Sequence, residues 1–367
     1  MTPAELSDTV LRAVRRAVDE GELGPGAVGR GSERIVVERP RPGGHGDYAT
    51  NVALQLSRPA GRSPRQVAEV LSRRLAGSPG IAAVDVTGPG FLNFTLSARD
   101  PHAAGLLRSI RESGLAYGHG EALRGQCIDL RIPREPRAEI LADAVARIGR
   151  SQGAEVEVEH PEDPGDVTYR PVPADLDPRR LGVDAGRWAL LYPAAHDRPR
   201  TESVEDRAGH LAQRESNPLF RVRYAHSRTR ALTRNAADLG FASDPGAFAA
   251  MDDDHHPHHL VAATDDDPHH GPHHDPHPLH HLVAALTDHP RILLTAARHR
   301  APDRLARHLV DVADAFLADT RISVGALPQG EEKPSAAHRA RLALAEATGT
   351  VLAGGLTLLG IDAPAYL

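Results

Sequence analysis

Apolar residues fall three and four positions apart over several stretches, and elsewhere they alternate. After Thr2-Pro3, the set Leu6, Val10, Leu11, Val14 and Val18 predicts a first helix with one buried side. Ile35–Glu38 is a short β-branched run, stopped by the turn-forming cluster Arg39-Pro-Arg-Pro-Gly-Gly44. Tyr48–Leu56 reads as a helix, and Ser63-Pro64 opens another with Val67, Val70 and Leu71 inward. Ile81–Val86 and Phe91–Leu96 read as strands joined by Thr87-Gly-Pro-Gly90. Next come a strand at Cys127–Ile132, an amphipathic helix at Arg137–Arg150 and a strand at Glu155–Glu159. Three long helical patterns follow: one from Asn217, one over Asp303–Ala318, and Ala336–Leu359 between Ser335 and Gly360. These elements predict an α+β N-terminal domain over 1–118, a small α/β segment over 119–180 and an all-α helical bundle over 181–367.

The pattern that starts at Asn217 carries the most chemistry. Asn217 suits an N-cap and Pro218 the first helical position, where a missing N–H costs nothing. Leu219, Val222, Ala225, Leu232, Ala236 and Leu239 share one broad face. Arg223, Arg230 and Arg234 stack on nearly the opposite side, and Tyr224 sits on one flank with Arg221 and Arg228. Such a stripe fits two readings, a solvated surface or a surface that meets phosphates beside an aromatic ring.

Charge sharpens the contrast. The net charge of −6 argues against indiscriminate nucleic-acid binding and against DNA as a partner, yet from Arg207 to Arg234 the only acidic residue is Glu215. No Arg or Lys occurs from Asn235 to Pro290, and Lys333 is the sole lysine of the chain. The single Cys127 excludes an internal disulfide or a cysteine zinc site, and its strand setting predicts inert packing. No unbroken apolar run of membrane-spanning length and no leader-like N-terminus are present, so a cytoplasmic protein without membrane partners is expected.

Residues 252–288 break the bundle with a His/Asp-rich, low-complexity insertion, in which His258-His-Leu-Val-Ala-Ala263 recurs as His280-His-Leu-Val-Ala-Ala285. The pairs His255-His256, His258-His259 and His273-His274 suit weak Zn²⁺ or Ni²⁺ binding, or none in an expanded loop. No cofactor is required.

Asn217-Pro-Leu-Phe-Arg-Val-Arg-Tyr-Ala-His-Ser-Arg228 resembles the signature that opens the anticodon-binding helical domain of arginyl-tRNA synthetases. Leu181-Gly-Val-Asp-Ala-Gly-Arg-Trp-Ala-Leu-Leu191 is similar to the segment leading into that domain. His45-Gly-Asp-Tyr-Ala-Thr-Asn-Val-Ala-Leu-Gln-Leu56 and Gly88-Pro-Gly-Phe-Leu-Asn-Phe94 resemble two signatures of the family's N-terminal additional domain. The resemblance implies tRNA contacts by Arg221, Arg223, Tyr224, His226, Arg228, Arg230 and Arg234 at the anticodon side, and by Phe91 and Asn93 at the D-loop. For the last two, residue type leaves a second reading open, in which Phe91 caps the sheet core and Asn93 holds a turn.

In the same family, a His-x-Gly-His motif follows the first strand of the catalytic domain, and a lysine-rich loop stabilises phosphate charge. This chain has Pro133-Arg-Glu-Pro-Arg-Ala138 after that strand, and Lys333 lies far downstream. Segment 119–180 therefore reads as a degenerate remnant of a catalytic α/β domain. The leading expectation is a non-catalytic paralogue that binds arginine-type tRNA. The alternatives are an interaction subunit of a synthetase or biosynthetic enzyme, a residual arginine-tRNA ligase, and a metal buffer acting through the histidine segment.

Overall fold

A computed structural model describes residues 3–27, 35, 37–38, 46, 48–78, 80–96, 101–174, 177–201, 203–251 and 278–366. The chain forms two compact units. One comprises Met1–Gly105 with Gly246–Ala284, the other Leu106–Pro245 with Ala285–Leu367.

The first unit packs helices against a small antiparallel sheet. Helix α1 (Pro3–Asp19) buries Leu6, Val10 and Val14, the face its periodicity predicts. Strand β1 (Tyr48–Thr50) leads into helix α2 (Val52–Ala60), where a single helix from Tyr48 is the sequence expectation. The cause is tertiary: Tyr48, Ala49 and Thr50 pair with Phe94, Asn93 and Leu92 of a strand more than forty positions on, and Tyr48 is buried in the core. Helix α3 (Pro64–Leu75) starts on a full capping box. The Gln66 amide N–H donates to Ser63 Oγ at 3.3 Å, and the Ser63 N–H donates to Gln66 Oε1 at 3.1 Å. Strands β2 (Ile81–Thr87) and β3 (Phe91–Leu96) form the expected hairpin, with sheet order β1-β3-β2. At Gly90 φ is +142°, and a Cβ would stand 2.8 Å from the Pro64 carbonyl oxygen, so only glycine lets the turn lie against the start of α3.

Helix α4 (Pro101–Ser113) enters the second unit at Leu106. There, β4 (Cys127–Arg131), α5 (Pro136–Ser151) and β5 (Glu155–Glu159) form the expected strand–helix–strand, its strands parallel and in register from Cys127↔Glu155. Cys127 itself is exposed, contrary to its expected place in packing, because β4 turns Ile128 and Leu130 inward instead. The bundle consists of α6 (Val183–Leu191), α7 (Val204–Leu211), α8 (Pro218–Asp238), α9 (Pro278–Arg298, in this unit from Ala285 on), α10 (Pro302–Ala318), α11 (Thr320–Ser323) and α12 (Ala336–Leu359). Helix α9 takes up residues 278–288 of the stretch read as an insertion, and it buries Leu282 and Leu286. The six candidate metal-ligating histidines, His255, His256, His258, His259, His273 and His274, lie outside the described residues.

Helices α8, α10 and α12 pack on one another and hold the bundle core. Close approach depends on glycines of α12: a Cβ at Gly349 would meet Thr229 Oγ1 at 2.3 Å, and one at Gly355 would meet Leu309 Cδ2 at 2.5 Å. Helix α12 is long and apolar enough to cross a membrane, but its most apolar window is 72% buried inside the protein. That is how the central helix of a bundle behaves. Gly360, left-handed at φ 70°, stops it, and residues 361–366 turn back along α8.

Candidate nucleic-acid interface

Helix α8 is fixed at its start by Asn217. Its Oδ1 accepts the Leu219 N–H at 3.1 Å, while Nδ2 donates to the carbonyls of His210 and Ala212, both at 2.9 Å. The predicted apolar face is buried from Leu219 through Ala236, with His226 and Thr229 added to it. Leu239 departs from the prediction: it caps the helix and is exposed, because the chain turns at Gly240.

The arginines fall into two groups. Arg221 pairs with Asp314 of α10 at 2.6 Å, and Arg223 pairs with Asp184 of α6. Their charges are compensated within the fold. Arg228, Arg230 and Arg234 have no carboxylate partner among the described residues. Arg228 donates to the Ser323 carbonyl at 2.9 Å, and Arg234 lies over the Tyr366 ring at 4.2 Å and reaches the Ala365 carbonyl at 3.5 Å. Arg230 is exposed and makes neither hydrogen bond nor ion pair among the described residues. Three cationic groups therefore remain available for anions along the helix.

The tail after α12 occupies part of this face. The Asp362 carbonyl accepts from Arg223 Nε at 3.2 Å and Nη2 at 3.1 Å, and the Pro364 carbonyl lies 3.0 Å from His226 Nδ1. A carbonyl only accepts, so Nδ1 carries the imidazole proton. His226 is buried, and that burial lowers its pKa, so a neutral ring holds the tail. It is buried against the tail, contrary to the expectation that grouped it with the arginines as a nucleic-acid contact.

Tyr224 is exposed and stacks with Phe220, ring centroids 5.7 Å apart at 15°. Both line a groove of about 970 Å³ together with Arg214 and Arg228, with Glu215, and with the paired Arg221 and Asp314. An aromatic platform with cations at its edge is what single-stranded nucleotides stack upon. Asp184 and Asp314, the acids that neutralise two of the arginines, stand far from α8 in the chain, and no local pattern marks them as partners.

In the first unit, Phe91 is exposed at the start of β3. Asn93 is buried and donates its amide to Thr87 Oγ1 at 2.7 Å, so it holds the hairpin and does not present its amide outward. This corrects the expectation of a base-reading amide and agrees with the turn-holding reading. Among the described residues no group of three or more His, Cys, Asp or Glu is placed to hold a metal.

The segment after β4 is filled from within. Arg137 is fully buried near the start of α5, with every guanidinium N–H on a backbone carbonyl. Nε donates to Leu190 at 3.2 Å, Nη1 to Val172 at 2.5 Å and Asp197 at 2.8 Å, and Nη2 to Pro193 at 3.3 Å and Ala194 at 2.9 Å. Where the resembling family has a histidine motif, this chain has an internal anchor.

Two family models match the chain. "Arginyl tRNA synthetase N terminal domain" covers residues 4–96, and "DALR anticodon binding domain" covers residues 222–367. The arginine–tRNA ligase of Micrococcus luteus is 45% identical over 172 residues, which is 44% of this chain and 30% of that protein. That of Frankia alni is 44% identical over 167 residues, or 42% of this chain and 29% of the relative. The match thus spans under a third of these relatives' length. Among solved structures, the Thermus thermophilus arginyl-tRNA synthetase aligns over 100% of both chains with a TM-score of 0.61 at 14% identity. The Plasmodium falciparum arginyl-tRNA synthetase also gives 0.61 over 100% of both, at 8% identity, and these two likenesses speak to fold alone. With one domain model at each end, in the order the sequence signatures have, the chain is an arginyl-tRNA synthetase-related protein with an anticodon-binding-type helical domain.

Proposed function

We propose that this protein binds tRNA, of the arginine type, through the helical domain, and that it does not activate an amino acid. One observation carries the binding half. Arg228 shares a groove with the stacked Phe220–Tyr224 pair, while Arg230 and Arg234 stand on another side of the same helix, and none of the three has a carboxylate partner among the described residues. The anticodon-binding match covers this helix from Val222 on. Guanidinium groups would meet the phosphates of the anticodon stem while Tyr224 stacks on an unpaired base. Phe91 offers a further stacking face from the N-terminal domain.

The non-catalytic half is supported by Arg137. The stretch Pro133–Ala138 spends its one buried cation on five carbonyls of its own chain, and the chain's single lysine is Lys333. The test is electrophoretic or fluorescence titration of full-length protein with arginine tRNA and an unrelated tRNA at several salt concentrations. Measurable affinity that weakens with salt supports the reading, and none at low salt overturns it.

A second reading, a protein-interaction subunit, is favoured by the exposed apolar side chains Val183, Val204 and Leu211 on α6 and α7. It predicts capture of a synthetase or biosynthetic enzyme without RNA. Separately, the histidine pairs of 252–288 carry the proposal of weak Ni²⁺ or Zn²⁺ binding that is lost on acidification, because imidazoles ligate when neutral. Calorimetric titration at pH 7.5 and pH 5.5 checks it.

A further inference from the structure

A cavity of about 480 Å³ lies within the second unit, bounded by α4, α8, α12 and the tail, a volume in the ordinary range for small-molecule sites. Small side chains create it: α12 lines it with Ala343, Ala347 and Ala353, and α8 faces it with Thr229 and Thr233. Leu107 and Leu115 add apolar wall on the α4 side.

The charges of the lining resolve simply. Arg111 pairs with Glu346 at 3.1 Å, and the two share contacts with Ser243. They cancel. His226 is a neutral donor to the tail. The hydroxyls of Thr233 and Thr350 donate back to their own helices, at 3.1 Å to the Thr229 carbonyl and 2.9 Å to the Glu346 carbonyl, so they offer the cavity only lone pairs. Arg230, exposed and without a hydrogen-bond or ion-pair partner among the described residues, is left as one uncompensated cation on a lining that otherwise carries no net charge and mixes apolar with polar side chains.

We propose that this cavity binds a small monocarboxylate, its acid group on Arg230 and a short hydrocarbon body against Leu107, Leu115 and Ala347. A single guanidinium matches a monoanion, since a carboxylate takes up its paired N–H groups side by side. A dianion such as phosphate would find one cation and a row of lone pairs. The tail residues Ala363 and Ala365 close one wall, so the ligand sits under the segment that α8 holds in place. This inference stands without tRNA binding, and because both readings use Arg230 the ligand and a tRNA phosphate would compete for it.

The experiment measures the Tm of the full-length protein against rising hexanoate, with hexan-1-ol, hexylamine and inorganic phosphate at matched ionic strength as comparators. Hexanoate raises the Tm in a saturable way, and the three comparators do not. Arg230→Gln, an exposed change that leaves the core intact, raises the half-saturating hexanoate concentration about tenfold or more, as losing a charge-assisted hydrogen bond does. Ala347→Leu fills the cavity and removes the response. The proposal is overturned if hexanoate has no effect, if hexan-1-ol or phosphate matches it, or if Arg230→Gln responds as the native protein does.

Discussion

Arg137 shows how much one residue can hold. Its guanidinium has five N–H groups, and each finds a separate carbonyl between Val172 and Asp197. Arg137→Met leaves those oxygens buried without donors, and the cost expected is about 3–5 kcal/mol, read as a shift in the urea midpoint. Arg137→Lys recovers little, since an ammonium has three donors and no planar fork. His289 sets a different dependence. It is fully buried between the rings of Tyr117 and His308, and burial pushes its pKa down to about 3. The unfolded chain binds the proton near pH 6.5 and the folded one does not, so this contribution to stability is complete above that pH and falls as pH drops toward 3. His289→Phe should therefore reduce the stability lost between pH 6.5 and pH 5 by about 2 kcal/mol, measured by urea titration at both.

Helix α8 separates what the sequence makes legible from what it does not. Its cap, its first proline and its buried face follow from local spacing, because helical periodicity is written within a few residues. The fate of its arginines is not local. Arg223 meets Asp184 and the Asp362 carbonyl, Arg221 meets Asp314, and His226 meets the Pro364 carbonyl. Partners that far along the chain leave no trace in periodicity. A stripe drawn as three equivalent arginines resolves into one without a partner among the described residues, one stacked on Tyr366 and one ion-paired. The same reasoning covers Tyr48–Thr50, whose strand character comes from β3. The expected ranking follows. Arg230→Gln should lower the slope of log affinity for tRNA against log salt by roughly 0.7–0.9, as one lost phosphate contact does, and alike for different tRNAs. Arg223→Gln should change that slope less and stability more. Tyr224→Ala should cost about 1–3 kcal/mol of affinity and leave the slope unchanged. A Tyr224→Ala variant with native affinity would take stacking out of the interface.

Over the whole molecule, recognisable family sequence stands at the two ends, 4–96 and 222–367, around an interior that neither model covers. Arginine-dependent exchange of pyrophosphate into ATP, assayed with tRNA present, should stay at background, and clear exchange would overturn the non-catalytic proposal. The interior is nonetheless built into the same compact unit as the bundle, through α5 and its buried arginine. That anchor also sets a timetable for biosynthesis. Arg137 leaves the ribosome as many as 60 residues before its last acceptor, the Asp197 carbonyl. At roughly 5–20 residues per second, α5 waits about 3–12 s with a solvated guanidinium before it can close. Slow codons between those positions would lengthen the interval in which the nascent chain exposes this half-built surface to chaperones.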